Sequence, residues 1–200
     1  MTPVPDLSRP APEVAPLLIG CRLAAGRVIG RITEVEAYHG EDDRACHAHR
    51  GRTPRSAGLY AAPGTLYVYL CYGMHHLLNL VCDEPSIPSA VLIRGLIITH
   101  GLDEARRRRG QPKAAAARLT NGPGKVAQAL GLDKTAHATR LGQRGCPLRL
   151  LPGDGPSPRL LCGPRIGVDY AGPHWATMPW RWWEEGYAAV REAGARQTTA

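Results

Sequence analysis

The order of the strand-like and helix-like segments is the feature that most restricts the fold. Stretches rich in β-branched and other apolar residues predict strands at residues 26–38, 65–72, 76–82, 89–98 and 159–172. Helical spacing predicts short helices at residues 12–24, 102–109 and 122–131. Helices and strands do not alternate regularly. This pattern therefore favours an α+β fold, a single compact domain with a mostly antiparallel β-sheet flanked by short helices.

The 200-residue chain fits one domain with short extensions. Residues 1–11 hold three prolines and are predicted to form a flexible N-terminal arm, followed by the domain at 12–190 and a C-terminal tail at 191–200. Residues 39–64 form a long polar loop, and loops of that length in a compact domain are usually functional or disordered. Residues 142–158 are also predicted to be a loop.

The charge of the chain favours a polyanionic partner. The formal net charge is +8, and arginine carries most of it, since lysine occurs only at Lys113, Lys125 and Lys134. Compositional drift from lysine to arginine is an alternative explanation for the total, but it explains the local clusters less well.

No segment indicates a membrane span or a secretion signal. The apolar runs stop well short of the ~20 residues that a span needs, and "MTPVPDLSRPAPE" at the start lacks the basic and apolar regions of a signal peptide. We therefore expect a cytoplasmic protein. The six cysteines show no CxxC spacing and are expected to be reduced and mostly buried.

The stretch "TLYVYLCYGMHH" (65–76) contains three of the seven tyrosines of a chain without phenylalanine. On a strand, Tyr67 and Tyr69 share one face, and Tyr72 precedes Gly73, where the chain is expected to turn. One interpretation is a tyrosine ladder that covers the sheet. The other is a set of rings that stack on nucleic-acid bases, with Tyr72 as a wedge. Such rings, together with a strand-end carboxylate, are typical of enzymes that flip a nucleotide out of a duplex.

A candidate for that carboxylate lies in "TEVEAY". Glu34, Glu36 and Tyr38 share one face of the predicted strand. A solvated face is the commoner location for glutamates, and the pattern alone favours it. Glu36, however, lies where the strand runs into the loop that carries His47 and His49, so it is a candidate general base.

The loop string "RACHAHRGRTPR" (44–55) allows two interpretations. Cys46 and His47 are potential metal ligands, with His75 and His76 as a second pair, but the C-H-x-H spacing does not match a structural zinc site. The preferred interpretation is a basic loop that holds phosphates through its arginines and backbone amides.

The string "LTNGPGKVAQAL" (119–130) predicts a Gly-Pro-Gly turn that leads into a helix. Asn121 is the predicted N-cap, Pro123 lies in the first turn, and Gly131 ends the helix. Helix amides beside Lys125 are suited to a phosphate, although the glycine spacing is not that of a P-loop.

Taken together, these strings resemble the alkyladenine (3-methyladenine) DNA glycosylase family. The match runs in order over about residues 15–185 through "ITEVEAY", "EDDRACHAHRGRTPR", "GTLYVYLCYGMHHLLNL", "AVLIRGL", "LTNGPGKVAQALG" and "GPRIGVDYAG". The resemblance implies a monomeric, nucleoid-associated enzyme of base excision repair. It binds double-stranded DNA, flips out an alkylated or deaminated purine (3-methyladenine, 7-methylguanine, hypoxanthine or ethenoadenine), and hydrolyses the N-glycosidic bond without a metal or cofactor.

The resemblance also implies roles for individual residues. Glu36 activates the attacking water, which Arg94 and the backbone carbonyl of Ile166 help to hold. Tyr38, His47 and Tyr69 line the base pocket, Asn79 crowds a purine 2-amino group, and Tyr72 fills the gap left in the duplex. The implied backbone contacts come from Arg52, Arg55, Asn121, Gly122, Gly124 and Lys125.

Lysine scarcity predicts a monofunctional enzyme that leaves an abasic site. A glycosylase that also nicks DNA needs an amine for a Schiff base. Lys125 is assigned to phosphate, and Lys113 and Lys134 lie outside the matched catalytic strings.

Three features depart from the family pattern. These are Ser56 after "TPR", His39 after "EAY", and the acidic pair Glu184 and Glu185 near the C-terminus. We expect these departures to affect the range of substrates more than any other property. Two other function classes stay open: a DNA-binding protein without catalysis, and a metal-dependent hydrolase that uses Cys46 and the histidines.

Overall fold

A nine-stranded sheet forms the body of the protein in the computed structural model, which describes residues 2–187 and the backbone of residues 198–199. Its strands are β1 (Arg22–Ala25), β2 (Val28–His39), β3 (Leu66–Cys71), β4 (His75–Val81), β5 (Ser89–His100), β6 (Arg149–Leu151), β7 (Leu160–Gly163), β8 (Arg181–Glu184) and β9 (Thr198–Thr199). The main order is β3-β4-β5-β2-β8-β7-β9, with β1 joining β2 to β6. Every pairing among the described strands is antiparallel.

The two longest strands, β2 and β5, form the centre of the sheet. They pair from Ile29–His100 to His39–Ser89, and the register shifts on both sides of Glu34. Such a bulge re-aims side chains and breaks simple alternation. On its other edge, β2 pairs first with β1 and then, at Glu34 and Glu36, with β8. Both glutamates therefore lie on an interior stretch of the sheet, covered by strands on each side.

Short helices surround the sheet. They are α1 (Ala11–Leu18), α2 (Leu102–Arg108), α3 (Ala116–Leu119), α4 (Pro123–Leu130) and α5 (Pro173–Thr177), with 3₁₀ turns at Ala57–Tyr60, Lys134–Ala136 and Asp169–Ala171. The apolar sides of α1 and α4 pack on the sheet and form one main core with residues such as Leu78 and Ile93. The predicted α+β class and the single compact domain are confirmed.

The predicted helix at residues 12–24 is correct only in its first half. Residues from Arg22 onward pair with β2 and β6 instead, because two partner strands satisfy more of their backbone groups than a frayed helix end. Val14, Ala15 and Leu18 lie in the core, whereas Leu17 is 44% exposed.

Two further local predictions need correction. Gly122, not Asn121, is the N-cap of α4, and Asn121 instead accepts a hydrogen bond from Lys125 Nζ through Oδ1 at 2.6 Å. Pro123 at the start and Gly131 at the end of α4 are confirmed. The segment 142–158 is not entirely a loop, because it contains β6.

The N-terminal segment is irregular up to Pro10 but is hydrogen-bonded to the domain. Thr2 O accepts from Gly153 N at 2.7 Å, and Leu7 O accepts from Asp83 N at 2.9 Å. Its flexibility stays a prediction. The predicted boundary at 190 and most of the tail at 191–200 lie outside the described residues. Thr198 and Thr199 are the exception, and they pair with β7.

Candidate active site

A cavity of about 760 Å³ opens where the long loop, the β3–β4 hairpin, β5 and the start of α4 meet. Most of the predicted site residues line it: Tyr38, His47, Arg55, Tyr69, Tyr72, Asn79, Arg94, Gly122, Gly124, Lys125 and Ile166. Glu36 lies directly behind this wall. Arg52 and Asn121 do not line the cavity: Asn121 directly precedes Gly122 in the chain, and the Arg52 guanidinium lies 5.5 Å from the Tyr60 ring centroid. Loops and strand ends that are far apart in sequence thus converge on one concave site.

Glu36 is fully buried, which contradicts the interpretation of a solvated face. Its Oε1 accepts from the backbone N–H of Ile166 at 2.7 Å, and its Oε2 accepts from the Tyr38 hydroxyl at 2.9 Å. Arg94 Nη1 lies 3.2 Å from the same Oε2. A carboxylate has about four lone-pair directions. Three donors therefore leave one acceptor direction free, on Oε1.

Arg94 joins two carboxylates. Its Nε donates to Glu34 Oε1 at 3.1 Å while Nη1 faces Glu36. Burial lowers the pKa of Arg94, but the charges of Glu36 and Glu34 outweigh burial and raise it well above its usual value. Arg94 is therefore a permanent cation at the wall of the cavity.

Arg165 supports Tyr38 from behind. Its guanidinium donates to both oxygens of Asp43, at 2.6 and 2.9 Å, and lies 4.8 Å from the Tyr38 ring centroid and 5.1 Å from that of Trp180. The side chains of Arg165 and Asp43 are completely buried. Because the ion pair fixes the end of β2 and the residue before Ile166, it holds two walls of the cavity in place.

His47 is held by Tyr67. The Tyr67 hydroxyl donates its only proton to Arg55 O at 3.0 Å, so the bond between this hydroxyl and His47 Nδ1, 2.9 Å long, must be donated by His47. Burial, and secondarily the charge of Arg55, lower the pKa of His47 to about 4. The ring is therefore neutral at pH 7, and its Nε2 is an acceptor. The His47 ring can therefore only accept a hydrogen bond from a base, through Nε2, which also lies 3.4 Å from Arg55 Nη2.

The tyrosines of β3 divide into two kinds. Tyr67 is 2% exposed and belongs to a buried cluster, so the structural interpretation holds for it. Tyr69 faces the cavity, and its ring centroid lies 4.5 Å from that of His47 at an interplanar angle of 75°. Tyr38 provides a second ring on the cavity wall.

Tyr72 projects from the tip of the β3–β4 hairpin and is 89% exposed. Its φ of +50° is rare for a residue with a side chain, and Gly73 follows with φ +68°. The left-handed conformation costs ~1–2 kcal/mol for most residues. A strained, exposed aromatic ring beside a cavity favours a functional role.

The rim near α4 is cationic and closely packed. Arg109 and Lys125 line this end, together with the backbone of residues 122–124. A Cβ at Gly124 would lie 2.9 Å from the Cβ of His75, so glycine is required where the helix start approaches the hairpin. Arg109, inside the run of four arginines, was not singled out from the sequence.

The alternative metal site is not supported by the ligands it would need. Burial raises the pKa of Cys46 to about 12, so the thiol is protonated, and the Nδ1 proton of His47 is committed to Tyr67. Between Thr2 and Tyr187, no three His, Cys, Asp or Glu side chains are grouped to hold a metal ion.

The residues that depart from the family pattern do not line the cavity, although Ser56 directly follows Arg55 and His39 directly follows Tyr38, which do. Ser56 is buried and closes its own loop by donating to Gly51 O at 3.0 Å. His39 Nδ1 lies 3.3 Å from Ser89 Oγ. Glu184 pairs with Arg31 at 2.7 Å and Glu185 with Arg159 at 3.5 Å. Both acidic groups are therefore paired with arginines.

Sequence reasoning missed Glu34, Asp43, Arg165 and Arg181 as parts of the site. Each is charged and at most 5% exposed. Buried charges are rare unless they are paired. The available signal was the mixing of arginine with aromatic residues in "GPRIG" and "MPWRWW", which suits cation–π stacking.

Comparisons with known proteins show which family the chain resembles. A family model described as "Methylpurine-DNA glycosylase (MPG)" matches residues 6–188. "Putative 3-methyladenine DNA glycosylase" of Cutibacterium acnes is 44% identical over 191 residues, covering 89% of this chain and 93% of that protein. A protein of the same name from Nitrosococcus oceani is 47% identical over 175 residues, covering 87% and 85%. "DNA-3-methyladenine glycosylase" of Arabidopsis thaliana is 43% identical over 170 residues, covering 84% and 65%.

The chain belongs to the methylpurine-DNA glycosylase family, as its motifs indicated. It is accordingly a DNA-repair hydrolase of the N-glycosylase class, with DNA as its substrate. Among the residues that the structure describes, no helix has the length and apolar character needed to cross a bilayer.

Proposed function

We propose that this protein is a monofunctional glycosylase that flips alkylated or deaminated purines out of duplex DNA. Its substrates are 3-methyladenine, 7-methylguanine, hypoxanthine and ethenoadenine, and Glu36 activates the water that cleaves the N-glycosidic bond. The observation that carries the proposal is the buried carboxylate of Glu36, fixed by Ile166 N–H, Tyr38 and Arg94 beside an aromatic cavity.

The free acceptor direction on Glu36 Oε1 supports the catalytic step. A water that donates to this oxygen is deprotonated as it attacks the sugar C1′, while the damaged base leaves with the bonding electron pair. Arg94 and the carbonyl of Ile166 orient the water from the two sides. The negative charge of Glu36 also stabilises the positive charge that develops on the sugar.

The rings of the cavity support base recognition. Tyr38 and Tyr69 stack on the two faces of the flipped base, and His47 contacts its edge. Stacking of ~1–3 kcal/mol per ring offsets most of the cost of unstacking. Asn79 is buried and donates to Tyr67 O at 3.1 Å, which fixes the amide where it crowds a purine 2-amino group.

The rim supports DNA binding. Arg52 and Arg55 are exposed beside the cavity, and the start of α4 contributes the remaining backbone contacts through Asn121, Gly122, Gly124 and Lys125. Tyr72 enters the duplex and takes the place of the flipped base. Lys125 donates to Asn121 at the start of α4, and we assign its amine to phosphate and not to a Schiff base, so that hydrolysis leaves the strand intact. Action as a monomer and association with the nucleoid stay predictions.

The proposal is tested with duplexes that carry one hypoxanthine, ethenoadenine, 3-methyladenine or 7-methylguanine. Wild type and Glu36→Gln are incubated with chelator, and products are read before and after alkali. We expect base release by wild type with strand breaks only after alkali, and a loss of ~10²–10⁴-fold in Glu36→Gln. Release by neither protein, with binding intact, would show a protein that only recognises DNA. Breaks before alkali contradict the monofunctional mechanism, and loss of activity in chelator favours the metal-dependent alternative.

A further inference from the structure

Glu34 lies behind the cavity and has no part in the chemistry above. It is 5% exposed, and its Oε1 accepts from two arginines, Arg94 Nε at 3.1 Å and Arg181 Nη1 at 3.2 Å. Arg94 reaches Glu36 Oε2 with its other end at 3.2 Å. A continuous chain of charges therefore runs from β8 through Glu34 and Arg94 to Glu36.

Arg181 fixes the outer end of this chain. Its Nε donates to Pro164 O at 2.8 Å, and its guanidinium lies 4.3 Å from the Trp183 ring centroid. Because β8 pairs with β2 at Glu34 and Glu36, the backbone sets the spacing of these side chains. Glu34 is thus held by a group that is itself immobile.

The charges in this chain balance. Glu34 and Glu36 supply two negative charges, and Arg94 and Arg181 supply two positive charges, all nearly or completely buried. A guanidinium anchored at Nε and Nη1 has a fixed plane, whereas one anchored at a single nitrogen can turn. Loss of the Glu34 charge would also leave two arginines facing one carboxylate, near a sugar that becomes positive.

We propose that Glu34 is a positioning residue, which orients Arg94 against Glu36 and balances its charge during base excision. The proposal rests on the glycosylase mechanism above. Glu34 touches neither water nor DNA and acts through Arg94. Its removal is therefore expected to lower the excision rate and to leave affinity for the lesion unchanged.

The test is a double-mutant cycle on Glu34→Gln and Arg94→Ala. Single-turnover rates are measured on the lesion that wild type releases fastest, below the melting temperature of every variant. Affinity is measured on a duplex with a tetrahydrofuran abasic analogue. Glu34→Gln is expected to slow excision ~10–100-fold, as misplacement of a supporting group does, with no further loss in the Arg94→Ala background.

A matched control is Glu184→Gln. Glu184 pairs with Arg31 between the same two strands but outside the cavity, so its loss should leave the rate unchanged. If Glu34→Gln does not fold, Arg181→Lys is used in its place. This substitution keeps the positive charge but removes the planar guanidinium. It is expected to slow excision less than Glu34→Gln, and again only when Arg94 is present.

Three outcomes would overturn the proposal. An unchanged rate in Glu34→Gln, equal losses with and without Arg94, or a loss confined to binding would each do so while leaving the proposed function intact. Absence of base release by wild type from every lesion would overturn the proposed function, and the role of Glu34 with it.

Discussion

The inner wall and the outer rim of the cavity are built on opposite physical principles. The inner charge network comprises Glu34, Glu36, Asp43, Arg94, Arg165 and Arg181, whose side chains are no more than 12% exposed and are all paired. The outer rim comprises Tyr72, Arg52, Arg55 and Lys125, and Tyr72 is 89% exposed. In the proposed mechanism, the groups that act on the reacting bond are fixed by buried ion pairs, whereas Tyr72, Arg52 and Arg55 are exposed and Lys125 is half-buried.

This difference has an energetic reason. A buried ion pair rarely stabilises a fold more than an apolar replacement would, but breaking it is costly. Such pairs are therefore better explained by the orientation that they impose. Exposed charges contribute little to stability and remain available for phosphates. The inner network should thus show its effects in stability and rate, and the rim in affinity and salt dependence.

The largest effect on stability is expected from the inner network. Asp43→Asn removes the charge that pairs with Arg165 at 2.6 Å and leaves a buried, uncompensated guanidinium. We expect a loss of about 3–5 kcal/mol in the free energy of unfolding, measured by urea denaturation. The matched control is Asp103→Asn, which breaks an exposed pair with Arg106 and should change little. If both substitutions lowered the free energy of unfolding equally, the buried network would contribute no more to stability than an exposed ion pair does.

A smaller effect, confined to DNA binding, is expected at Tyr72. Tyr72→Gly removes the ring and also relaxes the φ of +50°. Affinity for a lesion duplex should fall by about 1–3 kcal/mol, more than for an undamaged duplex, while stability stays the same or rises. Tyr72→Phe keeps the ring and should keep the affinity. If Tyr72→Gly lost the same affinity for damaged and undamaged duplexes, Tyr72 would not act as a wedge.

The sequence allowed much of this architecture to be predicted where the signal was local. β-Branched runs predicted the central strands, and the Tyr72–Gly73 pair predicted the hairpin turn. Most of the residues that were assigned roles through the family motifs line the cavity. Part of the rim was also predictable, because exposed cations such as Arg55 and a Gly-Pro-Gly turn need no tertiary information, whereas Arg109 was missed.

Four members of the inner network, Glu34, Asp43, Arg165 and Arg181, were not predicted, because their pairing depends on contacts between residues that are distant in sequence. Glu34 and Arg181 are 147 residues apart, and only the pairing of β2 with β8 brings them together. Periodicity alone favoured a solvated location for Glu34 and Glu36, whereas the covering strands bury both. The N-cap prediction failed for a local reason, since Asn121 accepts a hydrogen bond from Lys125, four residues further on, instead of capping α4.

A pH dependence of intermediate size in the free energy of unfolding is expected from His47, a cavity residue that belongs to neither the inner network nor the outer rim. Burial and Arg55 lower its pKa to about 4 from an ordinary value of 6.5. Between these values the unfolded chain binds more protons, so stability rises with pH across that window and is lost as pH falls to 4. Because His47 is only half-buried, we expect roughly 1–2 kcal/mol. Denaturation at several pH values measures this pH-dependent part of the free energy of unfolding. It should be absent from His47→Gln and retained in the control His49→Gln, since His49 is exposed.

The smallest expected effect is the salt dependence of the rim. Each phosphate contact that a cation makes adds about one to the slope of log K against log salt concentration. Arg55→Ala and Lys125→Ala should each lower that slope by about one on damaged and undamaged duplexes alike, measured by fluorescence anisotropy. Arg9→Ala is the control, since Arg9 pairs with Glu13 on α1 and is not part of the cavity. If Arg55→Ala instead slows excision without changing the slope, Arg55 acts on the base together with His47 and not on a phosphate. Arg55 would then belong to the base pocket and not to the outer rim.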